Sequence, residues 1–302
     1  MDGFLNLYKS TGWTSHDCVA KVRRLLNQKK VGHGGTLDPA ASGVLPIALG
    51  RATRLLQFLS SHKAYRAVIR FGMTTTTDDL EGEVVTSLAT TDLTEAKAIA
   101  ALPQFLGTIN QIPPRYSAVH VQGQRLYDLA RKGQAVTIPV RTVTVHDITP
   151  IKWQSGDFPE LTVDIACGPG TYIRSIARDW GAVLEVGATL AALERTQSSG
   201  FTMATSLTLE QLDTQIQAGT FNAIAPETAL HHLPVLSLAA DQARRWQQGQ
   251  KIRYEGALGD EPSPVYRVHD LADTFLGITH WITDPETSEV RLRPKVVYQV
   301  AS

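Results

Sequence analysis

Apolar and polar residues alternate across Lys63–Phe71, with Tyr65, Ala67, Ile69 and Phe71 on one face and Arg66 and Arg70 on the other. That period of two predicts a half-buried strand. A second alternating run, Leu161, Val163, Ile165 and Cys167, leads straight into Gly168-Pro169-Gly170. The period turns helical after Thr14-Ser15, where Val19, Val22, Leu25 and Leu26 recur and Asp17 stands in the first turn, so an N-cap is expected at that pair. The same spacing in Ile173, Ile176, Ala177, Trp180 and Leu184 predicts a helix capped by Thr171. Shorter signals predict a strand at 45–49, a helix carrying Leu55, Leu56 and Leu59, and a strand followed by a helix near 94–102. A helix-to-strand turn is expected over 189–201 and a helix over 208–217, ended by Gly219.

Two stretches break the pattern. Residues 110–139 are polar and proline-bearing, with one short helical piece near 126–131. A connection of that length inside a domain points to a functional arm over a cleft. From 235 onward one helix (238–248) is followed by short strands with turn signals at 255–256, 260–264 and 284–288, which reads as a small β-rich appendix.

Composition narrows the class. With 302 residues and 43% hydrophobic content the chain can bury a large core and a smaller one. Its apolar runs are too short to cross a bilayer, and the N-terminus lacks the features of a signal peptide. The two cysteines, Cys18 and Cys167, have no metal-ligand spacing and fit a reducing cytoplasm. The formal charge is zero but uneven. Residues 1–72 carry eleven basic against three acidic side chains, and residues 201–302 carry eight against twelve. Such a field draws an anionic partner toward the N-terminal half.

The candidate chemistry begins at Gly32-His33-Gly34-Gly35-Thr36-Leu37-Asp38-Pro39. Glycines let that loop take positive φ and approach another molecule, and Pro39 restricts Asp38. The same residues also fit an ordinary Asp turn. At the second glycine junction Tyr172 and Arg174 fall in the first helical turn, where an Arg fork can hold an anion. No Walker loop, dinucleotide fingerprint, zinc motif or Ser or Cys nucleophile motif occurs. The carboxylates Asp78, Asp79, Glu81 and Glu83 read as an exposed acidic turn, so a two-carboxylate glycosidase lacks its second member.

Together these blocks resemble the bacterial tRNA pseudouridine-55 synthases, the TruB family, over nearly the whole length. The resemblance rests on Gly32–Pro39 with Ser42-Gly43-Val44-Leu45-Pro46 and Gly50-Arg51-Ala52-Thr53, on Lys63-Ala64-Tyr65-Arg66 and on Pro113-Pro114-Arg115-Tyr116-Ser117-Ala118. It continues in Cys167–Arg174 and in Leu193-Glu194-Arg195-Thr196. It implies an α+β fold, with a large mixed, mainly antiparallel sheet flanked by helices. It also implies a catalytic domain over 1–233, an RNA-gripping insertion at about 110–139 and a PUA-like domain over 234–302. By resemblance, Asp38 is the nucleophile that attacks the target uridine, Tyr65 stacks on the flipped base near the departing proton, and Arg174 pairs with Asp38 and aims it. Tyr172 and Leu193 would line the uracil pocket, and His33 would fill the gap that the base leaves in the RNA. The implied partner is the T-loop and T-stem of tRNA, met by a monomer in the cytoplasm, with no organic cofactor, metal or membrane. His120 departs from the pattern, standing where the family carries Lys. Competing readings are a tRNA-binding folding helper, a uridine isomerase acting on another RNA, and a metabolic enzyme on a free sugar, which would turn over small uridine compounds without RNA.

Overall fold

The computed structural model describes residues 1–117, 137–254, 265–283 and 289–298, together with the backbone of 120–121 and 124–125. The expected helical piece at 126–131, the side chain of His120, half of the 110–139 stretch and the turns at 255–256, 260–264 and 284–288 lie outside the described residues.

Nine strands form the main sheet. Its central path is β1 (Gly3–Lys9), β3 (Ser42–Leu49), β12 (Ala188–Ser198), β4 (Lys63–Phe71), β11 (Glu160–Cys167), β10 (Arg141–Gln154) and β7 (Gly107–Gln111). β2 (Val31–His33) adds to β3, and β13 (Phe201–Thr202) to β12. All pairings are antiparallel except β3 with β12, so the sheet is mixed and mainly antiparallel. Short hairpins join β5 (Met73–Thr75) to β6 (Val84–Ser87) and β8 (His120–Val121) to β9 (Gln124–Arg125).

β4 forms as its alternation predicts. Tyr65, Ala67, Ile69 and Phe71 are buried, while Arg66 and Arg70 pair across strands with Asp164 and Glu160 of β11, their register partners. The helix Ile173–Val183 covers this buried face and packs Ile176, Ala177 and Trp180 against it. The helix Ser15–Leu25 begins with Thr14 in a capping box with Asp17, and lies with Leu209–Gln217 over β1 and β3. Capping boxes of this kind satisfy two backbone N–H groups at once.

Four local expectations are corrected. The helix bearing Leu55 and Leu56 is a 3₁₀ helix, Gly50–Phe58, with Leu59 as its C-cap. The helix near 94 is only Glu95–Ala100, capped by Thr94. Tyr172, not Thr171, occupies the N-cap of Ile173–Val183, and Thr171 instead donates from its hydroxyl to the Gly168 carbonyl. Residues 189–201 are no helix-to-strand turn, since β12 runs eleven residues through them. Register shifts between Leu190 and Ala192 and between Arg195 and Gln197 erase the alternation that would have announced a strand.

The C-terminal region builds a separate five-stranded sheet in the order β14 (Val235–Leu238), β16 (Tyr266–Asp270), β17 (Phe275–Thr283), β18 (Val290–Val297) and β15 (Ile252–Arg253). Its Phe275, Ile278, Val296 and Tyr298 share one apolar cluster with Phe4, Val44, Ala52 and Leu55. The small sheet is therefore packed against the edge of the large one.

Candidate active site

Asp38 sits on a turn whose backbone is fastened from three directions. Upstream, the Arg195 guanidinium donates to the carbonyls of Gly35 (3.1 Å) and Thr36 (3.3 Å) and to that of Val44 (2.7 Å). Beneath it, the Leu37 N–H donates to the Ser15 hydroxyl at 2.9 Å. Downstream, the Pro39 carbonyl accepts from Gly12 N–H (2.9 Å) and from the Lys9 ammonium (3.3 Å), which also donates to the Trp13 carbonyl. Lys9 and Arg195 are both fully buried. Burial lowers the pKa of each, and backbone carbonyls take the place of the missing carboxylate partners. Of the three loop glycines only Gly35 has positive φ, at +105°. Gly32 lies within β2, and Gly34 lets the chain close on Leu59, whose Cδ1 would be 3.1 Å from a Cβ placed there.

The Asp38 side chain is 42% exposed and its Oδ2 lies 2.9 Å from Arg174 Nη2. Arg174 itself is buried, and its other nitrogen pairs with Asp79 at 3.3 Å. The guanidinium also donates to the carbonyls of Thr77 and Tyr116, each at 3.1 Å. A planar fork can meet this many acceptors in one plane, which fixes both its own orientation and that of Asp38. Asp78 and Asp79 thus correct the expectation of an exposed acidic turn, because both are largely buried and paired, Asp78 with Arg178 at 2.9 Å. Burial, with Asp79 and Asp38 close by, raises the Glu81 carboxyl.

A cavity of about 250 Å³ opens on Asp38, lined by Tyr65, Tyr172, Arg174, Leu193, Ser117 and Lys63 among others. Tyr65 is nearly buried, and that burial is the main cause raising its phenol above the usual value, with the Arg195 guanidinium opposing it. Tyr172 is held by Gln111, whose side chain accepts from the Tyr172 N–H at 3.0 Å and donates to its carbonyl at 3.2 Å. That occupies a backbone donor the sequence left open for an anion. Five of the six candidate residues, Asp38, Tyr65, Arg174, Tyr172 and Leu193, therefore meet around one cavity.

His33 does not. It lines an adjoining depression with Gly34, Gly35, Leu56 and Gln57, its ring edge-on to His16 with centroids 5.6 Å apart. Burial, with His16 and Arg195 near, lowers its pKa, so the ring is neutral at pH 7. Sequence reasoning missed Asp79, Arg195, Lys9, Gln111 and Ser117. Arg195 and Ser117 stand inside motifs that carry the resemblance, but nothing in the linear order shows what they touch. A larger cavity of about 510 Å³ lies away from Asp38, between Phe4, Phe201 and Phe221, and among the described residues no ionisable side chain lines it. Among the described residues no cluster of His, Cys, Asp and Glu could hold a metal, and no helix is long and apolar enough to cross a membrane.

Comparison with known proteins gives a consistent set of relatives. The model of the TruB family pseudouridylate synthase N-terminal domain matches residues 23–173, and that of the pseudouridine synthase II TruB C-terminal region matches 234–297. A protein of Nostoc sp. called tRNA pseudouridine synthase B is 60% identical over 92% of this chain and 94% of its own length. One of the same name from Acaryochloris marina is 55% identical over 98% and 99%. Among solved structures, an archaeal box H/ACA sRNP Nop10-Cbf5 complex superposes with a TM-score of 0.73 at 27% identity, covering 99% of this chain and 86% of that one.

Proposed function

The chain belongs to the TruB family of pseudouridylate synthases, and from that premise we propose that it isomerises uridine to pseudouridine in the T-loop of tRNA, with Asp38 as nucleophile. One observation carries the reading. A carboxylate held 2.9 Å from a buried Arg faces a cavity of about 250 Å³, with room for a nucleobase, walled by Tyr65, Tyr172 and Leu193.

A uridine inside a folded RNA loop cannot reach a carboxylate fixed by Arg195, Ser15 and Lys9, so the base must be everted, at a cost of a few kcal/mol. Stacking on Tyr65 returns roughly 1–3 kcal/mol. The neutral His33 ring, on the adjoining face, fills the space the base vacates. Asp38 forms a covalent bond to the everted nucleoside, and the bond between N1 and C1′ breaks. The uracil turns within the cavity, C5 bonds to C1′, and the carboxylate is released. C5 loses its proton on the side where Tyr65 stands, while N1 gains one, so the reaction balances without an oxidant, metal or organic cofactor. Arg174 keeps the carboxylate aimed throughout, and Asp79 keeps Arg174 in place.

In this reading residues 1–233 are the catalytic domain, 234–302 the PUA-like domain and about 110–139 the RNA-gripping insertion. The protein works as a monomer in the cytoplasm, where its two buried thiols stay reduced. The relatives' name favours tRNA over another RNA. Asp38→Asn is the direct test. Pseudouridine formation in a T-arm stem-loop should fall by roughly three orders of magnitude or more, with RNA affinity retained. Turnover close to wild type, or turnover of free uridine monophosphate without RNA, would remove this function.

A further inference from the structure

Two cavities meet at one side chain. The Asp38 cavity and the depression holding His33 share a single lining residue among the described ones, Lys63 at the start of β4. Its ammonium runs alongside the glycine loop, 3.5 Å from where a Cβ on Gly35 would stand. The side chain is half-buried, and among the described residues it makes no hydrogen bond or ion pair. The charged or titratable groups that act on it are the Arg195 guanidinium and the Cys167 thiol, and the Asp38 carboxylate of the same cavity is paired with Arg174. Every other buried cation near the site is satisfied: Lys9 and Arg195 by carbonyls, Arg174 by two carboxylates. A half-desolvated ammonium beside a second cation is held at a cost unless an anion arrives.

The direction from which that anion comes follows from the two cavities. If the base lies against Asp38 and the stack it left lies against His33, the backbone of the everted nucleotide crosses the wall between them. We propose, resting on the isomerase reading above, that Lys63 binds a phosphodiester flanking the everted uridine and so couples base eversion to RNA binding. Gly35 keeps the opposite side of this crossing free of side-chain atoms, so the phosphate can approach both the ammonium and the loop backbone. Lys suits the task because a compact ammonium meets a phosphate as a point charge from several angles while the nucleotide turns.

The test uses the full chain and a T-arm RNA stem-loop. Lys63→Met keeps the length and apolar stem but removes the charge. It is expected to weaken binding about tenfold at ~100 mM salt and to lower the slope of log affinity against log salt by about 0.7–0.9. A neutral methylphosphonate at one of the two phosphates flanking the target uridine should cost the wild type a similar factor and the variant nothing further. Wild-type affinity and slope in Lys63→Met, or losses that simply multiply, would overturn the phosphate assignment while leaving the isomerase reading intact. If Lys63→Met does not fold, the methylphosphonate series on the wild type decides alone, and insensitivity to both phosphates overturns it. Failure of the wild type to form pseudouridine in this RNA would instead sink the isomerase reading, and this assignment with it.

Discussion

Arg174 faces Asp38 with one nitrogen and Asp79 with the other, so the two carboxylates divide one charge between them. Asp79 has further work, since its carboxylate accepts from the Thr77 hydroxyl and the Glu81 N–H. Replacing it by Asn keeps the shape but removes the charge that holds Arg174 from behind. Asp79→Asn is expected to lower turnover at least about tenfold while RNA affinity changes by less than about threefold, as for a loss confined to the positioning of a catalytic group. Single-turnover rates alongside binding isotherms would show it, and equal loss in both would place Asp79 in RNA binding instead. The Asp38–Arg174 pairing was implied by the family blocks, while the glycine junctions by themselves showed only an Arg able to hold an anion. Asp79 was not readable, because Asp-Asp-Leu-Glu-Gly reads as a solvated turn until the fold closes it over Ile173–Val183.

Between elements, the decisive junction is the parallel pairing of β3 and β12, where Gly43 lies opposite Arg195. Gly43 has φ +107°, and a Cβ there would stand 2.3 Å from the Arg195 carbonyl oxygen and 2.7 Å from its nitrogen. Both obstructions are backbone and cannot rotate away. Gly43→Ala should therefore destabilise the protein by about 2–4 kcal/mol, measurable as a shift of the urea midpoint. It should also cut activity in the molecules that remain folded, because moving Arg195 loosens the Gly35 and Thr36 carbonyls that set the Asp38 turn. A variant with normal stability would mean that the two strands can part without cost. The Lys63–Phe71 strand and the helix starting after Thr14 were legible because their periods are clean and their partners local. β12 was not: Leu190 and Leu193, three apart, mimic a helical turn, and its two register shifts remove the period of two.

On the scale of the whole molecule, the small sheet is joined to the large one through Tyr298. Its carbonyl accepts from Arg51 at 2.9 Å, the same guanidinium lies 5.5 Å from its ring centroid, and Arg51 in turn pairs with Asp2. Burial, with Asp2 nearby, pushes the Tyr298 phenol up to about 12, from an ordinary 10.0. Below pH 10 the phenol is protonated whether the chain is folded or not, and its stabilising effect is complete. Between about 10 and 12 the unfolded chain loses the proton that the native state keeps, so stability falls as pH rises. Melting temperatures should drop through that window, and Tyr298→Phe should make the drop shallower. The part remaining includes Cys18, whose thiol burial pushes up to about 11, with the same sign. An identical pH profile in the variant would show that the junction does not sense this group. The basic surplus of residues 1–72 also changes meaning at this scale. Arg51, Arg66 and Arg70 are spent on structural ion pairs and Lys9 on carbonyls, which leaves a smaller set, Lys63 among them, to meet RNA.

By itself the sequence determined what depends on neighbours in the chain: the periods of strands and helices, the capped start at Thr14, the glycine loop that presents Asp38, and motif blocks specific enough to name a family. Only the tertiary structure decided which distant groups complete that site. The Arg195 side chain reaches Gly35 and Thr36 about 160 residues away in sequence, and Asp79 reaches Arg174 only because a hairpin folds over a helix. Such contacts pair buried charges with whatever acceptors the closed chain brings near. Their energy comes from removing water around both partners, a condition that exists only once the sheet and its covering helices have assembled.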